Sequence, residues 1–200
     1  MYAFDDTFNY IPFFAYAPNG KCIVSGAGSV PSLRLVDTNT GMQQAALDLD
    51  GNRVARALFS PDGAMVAAIT VHNSFDPTAT VLSSNPGAIY LVDGNLTKKL
   101  KVLETKLPNV RTLAFSPDNR TLAAAGGDWG GVTAIVLDVQ TGKILHSLSD
   151  HAGGITSMAF SPDGNMLAIG HGHEEDQREA TKGGLRVWNP RTGALIVELK

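Results

Sequence analysis

Side chains that do chemistry are sparse in this chain, and only one stretch gathers several: His171-Gly172-His173-Glu174-Glu175-Asp176. On an extended segment alternate residues face the same way, so His171 and His173 would present two imidazoles to one divalent ion, with carboxylates nearby. The plainer reading is a solvated acidic loop after a strand, and the polar residues that follow (Gln177, Arg178, Glu179) favour it. Two histidines with nothing in view to orient them are an incomplete ligand set. The expectation is therefore no metal and no cofactor, with His171 and His173 the candidate ligands were one to bind. There is no phosphate-cradling glycine loop, no Gly-x-Ser-x-Gly elbow and no Cys–His pair of known spacing. No catalytic residue is assigned.

Other residues suit binding. His72-Asn73-Ser74-Phe75-Asp76 opens a long irregular segment, and long loops in compact domains are often functional. Phe75 is either an apolar anchor for a partner or a ring folded back onto its own sheet. Trp129, in Gly126-Gly127-Asp128-Trp129-Gly130-Gly131, sits at a glycine-rich loop tip, where a tryptophan makes a good interface hot spot. Covering a seam between neighbouring elements is its other reading. The partner-binding candidates are His72, Phe75, Asp128, Trp129, His173 and Arg178.

What positions these residues is a repeat. Tyr16-Ala17-Pro18-Asn19-Gly20, Phe59-Ser60-Pro61-Asp62-Gly63, Phe115-Ser116-Pro117-Asp118-Asn119 and Phe160-Ser161-Pro162-Asp163-Gly164 are variants of one phrase. Ser-Pro-Asp-Gly suits a type I turn, and it lies between an alternating run and a short apolar one, which together read as a hairpin. A second turn recurs at Asp37-Thr38-Asn39-Thr40-Gly41, Asp93-Gly94-Asn95, Asp138-Val139-Gln140-Thr141-Gly142 and Asn189-Pro190-Arg191-Thr192-Gly193, each flanked by β-rich runs. Every unit thus has four strands, two tight turns and almost no helix signal, so the predicted class is all-β.

Spacing locates the variable parts. Twenty-two residues separate Asp37 from Phe59, Asp93 from Phe115 and Asp138 from Phe160, whereas the distance from aromatic to second turn varies. Length variation is therefore confined to loops between the second and third strands. Because antiparallel strands alternate direction, those loops emerge on the same face as the links between units. Both insertions, roughly 71–86 and 172–184, share that face, and Asp62, Asp118 and Asp163 are turn formers on the opposite one rather than a carboxylate set.

These residues resemble the WD-repeat family of β-propellers, whose units carry a Gly-His pair, an aromatic-Ser-Pro-Asp-Gly turn and a Trp-Asp pair. The fourth unit matches best, with His151, Phe160 to Gly164, Trp188-Asn189 and Thr192-Gly193. The resemblance covers about residues 10–200 and implies four four-stranded antiparallel blades, approximately 10–52, 53–108, 109–152 and 153–200. It assigns structural roles to Phe59, Phe115, Phe160, His151 and Trp188. The family's His is replaced by Thr7, Asp50 and Lys106, its Trp by Val36, Val92 and Leu137, and its second-strand Ser by Ala27, Gly126 and His171. Asp128 stands in the place of a turn Asp. The family's buried His–Ser–Asp–Trp hydrogen-bond chain is incomplete in every unit, so aliphatic packing must carry more of the load.

The resemblance implies a non-catalytic protein-interaction scaffold, binding a protein or peptide through loops 71–86, 128–131 and 172–184. One alternative is a metal-dependent propeller hydrolase or lactonase, which the small or apolar first-strand residues Ala15, Ala55, Thr112 and Thr156 argue against. Another is a regulatory or sensor module of a larger multidomain protein. The family usually has six to eight blades, leaving three readings of four repeats: a closed four-bladed ring, a homodimer closing an eight-bladed one, or part of a longer array.

Composition narrows the class of partner. Among 200 residues, 44% are hydrophobic and 18% charged, an ordinary globular balance. A net charge of −3 disfavours nucleic acid as the main ligand. No apolar run has the roughly 18–20 residues of a membrane span, and Met1-Tyr2-Ala3-Phe4-Asp5-Asp6 lacks the basic and apolar parts of a signal peptide. A single cysteine, Cys22, cannot form an internal disulfide and fits a reducing compartment. The expectation is no nucleic acid, no membrane and a cytoplasmic location.

Overall fold

The computed structural model describes residues 13–26, 32–71, 86–128, 131–149, 154–172 and 183–199. All regular structure among them is β-strand, in four sheets of four strands. The first sheet is β1 (Phe14–Tyr16), β2 (Cys22–Gly26), β3 (Ser32–Asp37) and β4 (Gln43–Asp48). The second is β5 (Arg53–Phe59), β6 (Met65–Val71), β7 (Pro86–Asp93) and β8 (Lys99–Pro108). The third is β9 (Val110–Phe115), β10 (Thr121–Asp128), β11 (Gly131–Asp138) and β12 (Ile144–Leu148), and the fourth is β13 (Gly154–Phe160), β14 (Leu167–Gly172), β15 (Gly184–Trp188) and β16 (Leu195–Leu199). Spatial order follows chain order in every sheet, a simple antiparallel meander.

Local chemistry explains the hairpins. The Gly63 N–H donates to the Ser60 carbonyl at 2.8 Å, closing a type I turn, and Gly63 follows with φ of 73°. That left-handed residue gives the strands the twist a tight hairpin needs. The Ser60 hydroxyl donates to Asp62 Oδ1 at 2.6 Å, while Oδ1 also accepts the Ala64 N–H at 3.0 Å and Ser60 Oγ accepts the Met65 N–H at 2.9 Å. Ser116–Asp118 and Ser161–Asp163 repeat this pattern at the same 2.6 Å. At the second turn Asp37 Oδ1 accepts the N–H groups of Asn39 and Thr40 at 2.9 and 2.8 Å, and Asp138 and Asn189 do the same work in their sheets.

The chain divides after Glu104 into two compact units. In the first, β5 lies against β1 and β2. Val24, Leu33 and Leu35 of the first sheet pack with Phe59, Val66 and Tyr90 of the second, in one apolar layer. In the second unit β13 lies against β9, β10 and β11, and Ala123, Ala134 and Val136 meet Leu167, Ile169 and Trp188. In the second unit, small residues on one sheet therefore receive larger ones from the next. Consecutive residues Val66 to Ile69 and Leu122 to Ala124 are all fully buried, so β6 and β10 are covered on both faces. Phe59, Phe115 and Trp188 are buried and Phe160 is half-buried, all at packing positions.

Candidate interaction surface

In each meander the connection between second and third strands leaves from the same end as the chain's exit from the fourth strand. Val71 and Pro86 bound one such connection, Gly172 and Gly184 another, and Asp128 pairs directly with Gly131 across a third. Residues 72–85, 129–130 and 173–182 lie outside the described residues, so His72, Phe75, Trp129, His173 and Arg178 do too, as does His151. Asp128 ends β10, and its side chain is likewise outside the description. The structure thus describes the strand ends that carry the candidate surface, and not the side chains proposed to form it.

His171 is described, and it is buried at 7% exposure in β14, opposite Ile155 and Gly184. A Cβ at Gly184 would stand 2.9 Å from the imidazole Cε1, so glycine there makes the space the ring occupies. The ring is part of the sheet's packing face. Among the described residues no three of His, Cys, Asp and Glu come together as a metal-binding group.

Two features near the links between sheets were not legible in the sequence. Asp50, with φ of 60°, lies between β4 and β5; it accepts the Tyr90 hydroxyl at 3.0 Å and pairs with the Lys99 ammonium. The Lys99 and Tyr90 hydrogen bonds hold the Asp50 carboxyl below its ordinary range. Burial, then the Asp50 carboxylate, pushes the Tyr90 hydroxyl up. Asp50 stands where the family has its histidine, so this trio links the first two sheets by different chemistry. Its only sequence signal is a lone tyrosine inside the aliphatic run of β7. The second feature is Gly126, where a Cβ would come within 2.6 Å of the Pro108 carbonyl oxygen. The link from β8 to β9 crosses directly over it.

At the opposite end of the second unit a groove of about 480 Å3 opens between turns, lined by Pro117, Asp118, Leu145, Pro162, Asp163 and Arg191 among others. The Ser116 and Ser161 hydroxyls are the first cause that lowers the Asp118 and Asp163 carboxyls, Asp163 to about 2. His146 Nε2 lies 2.8 Å from the Arg191 carbonyl oxygen and donates to it, clamping the last turn onto β12. These groups are committed to the fold, so the groove offers shape rather than reactive chemistry.

Comparison with known proteins now bears on the repeats. The family model "WD domain, G-beta repeat" matches residues 97–132 and 142–189. A WD repeat-containing protein, SL1-17 of Schistosoma mansoni, is 24% identical over 131 residues, covering 66% of this chain and 37% of that protein. The matched residues are repeats of the WD family. The rice (Oryza sativa subsp. japonica) small ribosomal subunit protein RACK1y is 31% identical over 129 residues, 59% of this WD-repeat chain and 34% of that protein. The spindle assembly checkpoint protein bub3 of Schizosaccharomyces pombe is 47% identical over 60 residues, 30% of this chain and 18% of its own length. The chain spans well under half the length of these relatives. Hydrazine synthase of Kuenenia stuttgartiensis superposes with a TM-score of 0.70 at 18% identity over 90% of this chain and 51% of that one. That likeness shows the fold alone: the sheets are blades of β-propeller type, four in number and divergent from the family's sequence pattern. No helix among the described residues is long and apolar enough to cross a membrane.

Proposed function

We propose that this WD-repeat chain is a non-catalytic protein-interaction platform whose partner contacts lie on the connections between second and third strands. The observation that carries this reading is the unequal length of those connections, 27–31, 72–85, 129–130 and 173–183, on blades whose turns otherwise repeat one pattern. Variable loops on a rigid scaffold are where binding tends to reside. His72, Phe75, Asp128, Trp129, His173 and Arg178 are the proposed contact residues. The repeated carboxylates Asp62, Asp118 and Asp163 spend their oxygens on serine hydroxyls and backbone N–H groups, which supports a structural rather than catalytic use. A reducing, cytoplasmic setting belongs to the same proposal and rests on the single Cys22.

The test replaces 173–183 and, separately, 72–85 by a two-residue connection like that between Asp128 and Gly131. Each variant is compared with the wild type by circular dichroism and quantitative affinity capture. The expected result is unchanged strand content with loss of specific captured proteins. Capture that survives both replacements, together with Trp129→Ala, would overturn the surface assignment.

A further inference from the structure

The joint between neighbouring sheets is built alike in the two units, but the turns beside it present different chemistry. In each unit the turn glycine of the later sheet rests on the turn proline of the earlier one. A Cβ at Gly63 would stand 3.4 Å from Pro18 Cδ, and one at Gly164 would stand 3.5 Å from Pro117 Cδ. In the second unit His146 also holds the Arg191 carbonyl, and the groove of about 480 Å3 lies among these turns. Its walls are thus fixed before anything binds, which lowers the ordering cost of docking.

Strand pairing aligns the corners of the two joints residue by residue. Asp118 corresponds to Asn19, Leu145 to Gln44 and Arg191 to Asn95. The first unit builds its corner from neutral amides, where the second has a carboxylate, an exposed leucine and a guanidinium. Local structure asks for no more than the amides supply. Asn19 Oδ1 accepts the Lys21 N–H at 2.9 Å, much as Asp118 Oδ1 accepts the Arg120 N–H at 3.1 Å. Gln44 donates to Asp37 and accepts from the Cys22 thiol, whereas Leu145, at 44% exposure, lines the groove with the exposed Pro117 and Pro162. Asp118 Oδ2 accepts no hydrogen bond among the described residues, and the Arg191 guanidinium makes none. The Ser116 and Ser161 hydroxyls are the first cause that lowers the Asp118 and Asp163 carboxyls, so both stay ionised at neutral pH. With Arg191 as the single cation of the lining, the groove keeps a surplus negative charge beside an apolar strip. That combination is complementary to a cation carried next to an apolar group.

We infer that this groove docks an extended segment of another protein in which an apolar side chain adjoins a lysine or arginine, the apolar group covering Leu145 and the proline rings and the cation satisfying Asp118. Arg191 selects against a polycationic segment, and the two carboxylates select against an acidic one. The surface lies on the turn face, opposite the variable connections, and is independent of which of those loops bind a partner.

The probe is a library of short random linear peptides displayed on phage and selected on the whole chain, with the enriched peptides then measured by fluorescence polarisation. Enriched sequences should pair a lysine or arginine with a leucine, isoleucine, phenylalanine or proline. Asp118→Asn and Leu145→Gln recreate the corner of the first unit, so each should leave circular dichroism unchanged. Each should weaken those peptides by roughly tenfold or more, the loss expected for a charge-assisted bond or a buried apolar contact. Loss from Asp118→Asn should shrink as salt rises, and loss from Leu145→Gln should not. As a second measurement, independent of how the variants fold, amide NMR shifts of the wild type should move at Asp118, Leu145, Asp163 and Arg191 when peptide is added. No enrichment, an acidic or uncharged consensus, peptides that bind both variants as they bind the wild type, or shifts confined to the opposite face would each overturn the inference.

Discussion

Gly126→Ala separates what packing demands at this position from what family resemblance would suggest. Gly126 is not among the residues with positive φ, so alanine fits its own backbone. By that measure alone the substitution would stabilise by roughly 0.4–1 kcal/mol, through the unfolded chain's lost freedom. The new Cβ, however, would lie 2.6 Å from the Pro108 carbonyl oxygen, 2.9 Å from that of Asn109 and 2.9 Å from Val110 Cα. All three are backbone atoms that no rotamer change can withdraw, and the crossing link is itself bent by the positive φ of Asn109, 47°. Overpacking of this kind costs about 1–3 kcal/mol, and three simultaneous collisions place it near the upper end. The net expectation is about 2 kcal/mol of destabilisation, a fall in Tm of roughly 4–8 °C for a chain of this size. Urea and thermal unfolding followed by circular dichroism measure it. The control is Gly154→Ala, where the nearest atom is the Gly172 carbonyl oxygen at 3.5 Å, an ordinary contact. That variant should be neutral or slightly stabilised. Gly126→Ser, which would restore the family's residue, should do no better than alanine. Stability equal to or above wild type for Gly126→Ala, with Gly154→Ala behaving as expected, would refute the close crossing.

Two pH experiments probe the turns and the link between the first blades. Asp163 has its folded pKa depressed from 3.8 to about 2, so its contribution to stability is present above pH 3.8 and is lost as pH falls towards 2. Ser161→Ala should return the Asp163 titration towards 3.8 by carboxyl NMR and flatten that part of the acid unfolding curve; an unmoved titration would mean the hydroxyl is not the cause. Tyr90 has its folded pKa raised above 10.0, so stability is intact below pH 10 and declines as pH climbs through the folded value. Tyr90→Phe should remove the tyrosine's share of that alkaline decline, and an unchanged alkaline slope would argue against the bond to Asp50.

The hairpin turns were legible because their chemistry is local. Ser60 to Met65 closes every bond of its turn within the span of a few residues, and so do the equivalents at Ser116 and Ser161. Alternation was a poorer guide. Neighbours Thr112 and Leu113 point to opposite faces of β9 and are both buried, so a strict inward–outward alternation does not hold there. The trio of Asp50, Tyr90 and Lys99 joins residues too far apart in the chain for any pattern to connect them. Gly126 looked like a lost serine, and its reason is a backbone crossing from another strand. For the candidate surface, the connections that bear it were legible from spacing, whereas the convergence of His72, Phe75, Trp129, His173 and Arg178 is a matter of tertiary placement and remains a proposal.

By itself the sequence determined the repeat, the four-strand unit, both kinds of turn and the connections in which length varies. These are short-range consequences: Asp, Ser, Pro and Gly set backbone angles and local hydrogen bonds that need no distant partner. Tertiary structure alone decided which apolar faces are covered. Leu148 and Leu199 close equivalent fourth strands in similar local settings, yet one is fully buried and the other half open to solvent. Burial depends on what packs against a face from elsewhere in the chain, and a residue's own neighbours in sequence carry no record of it.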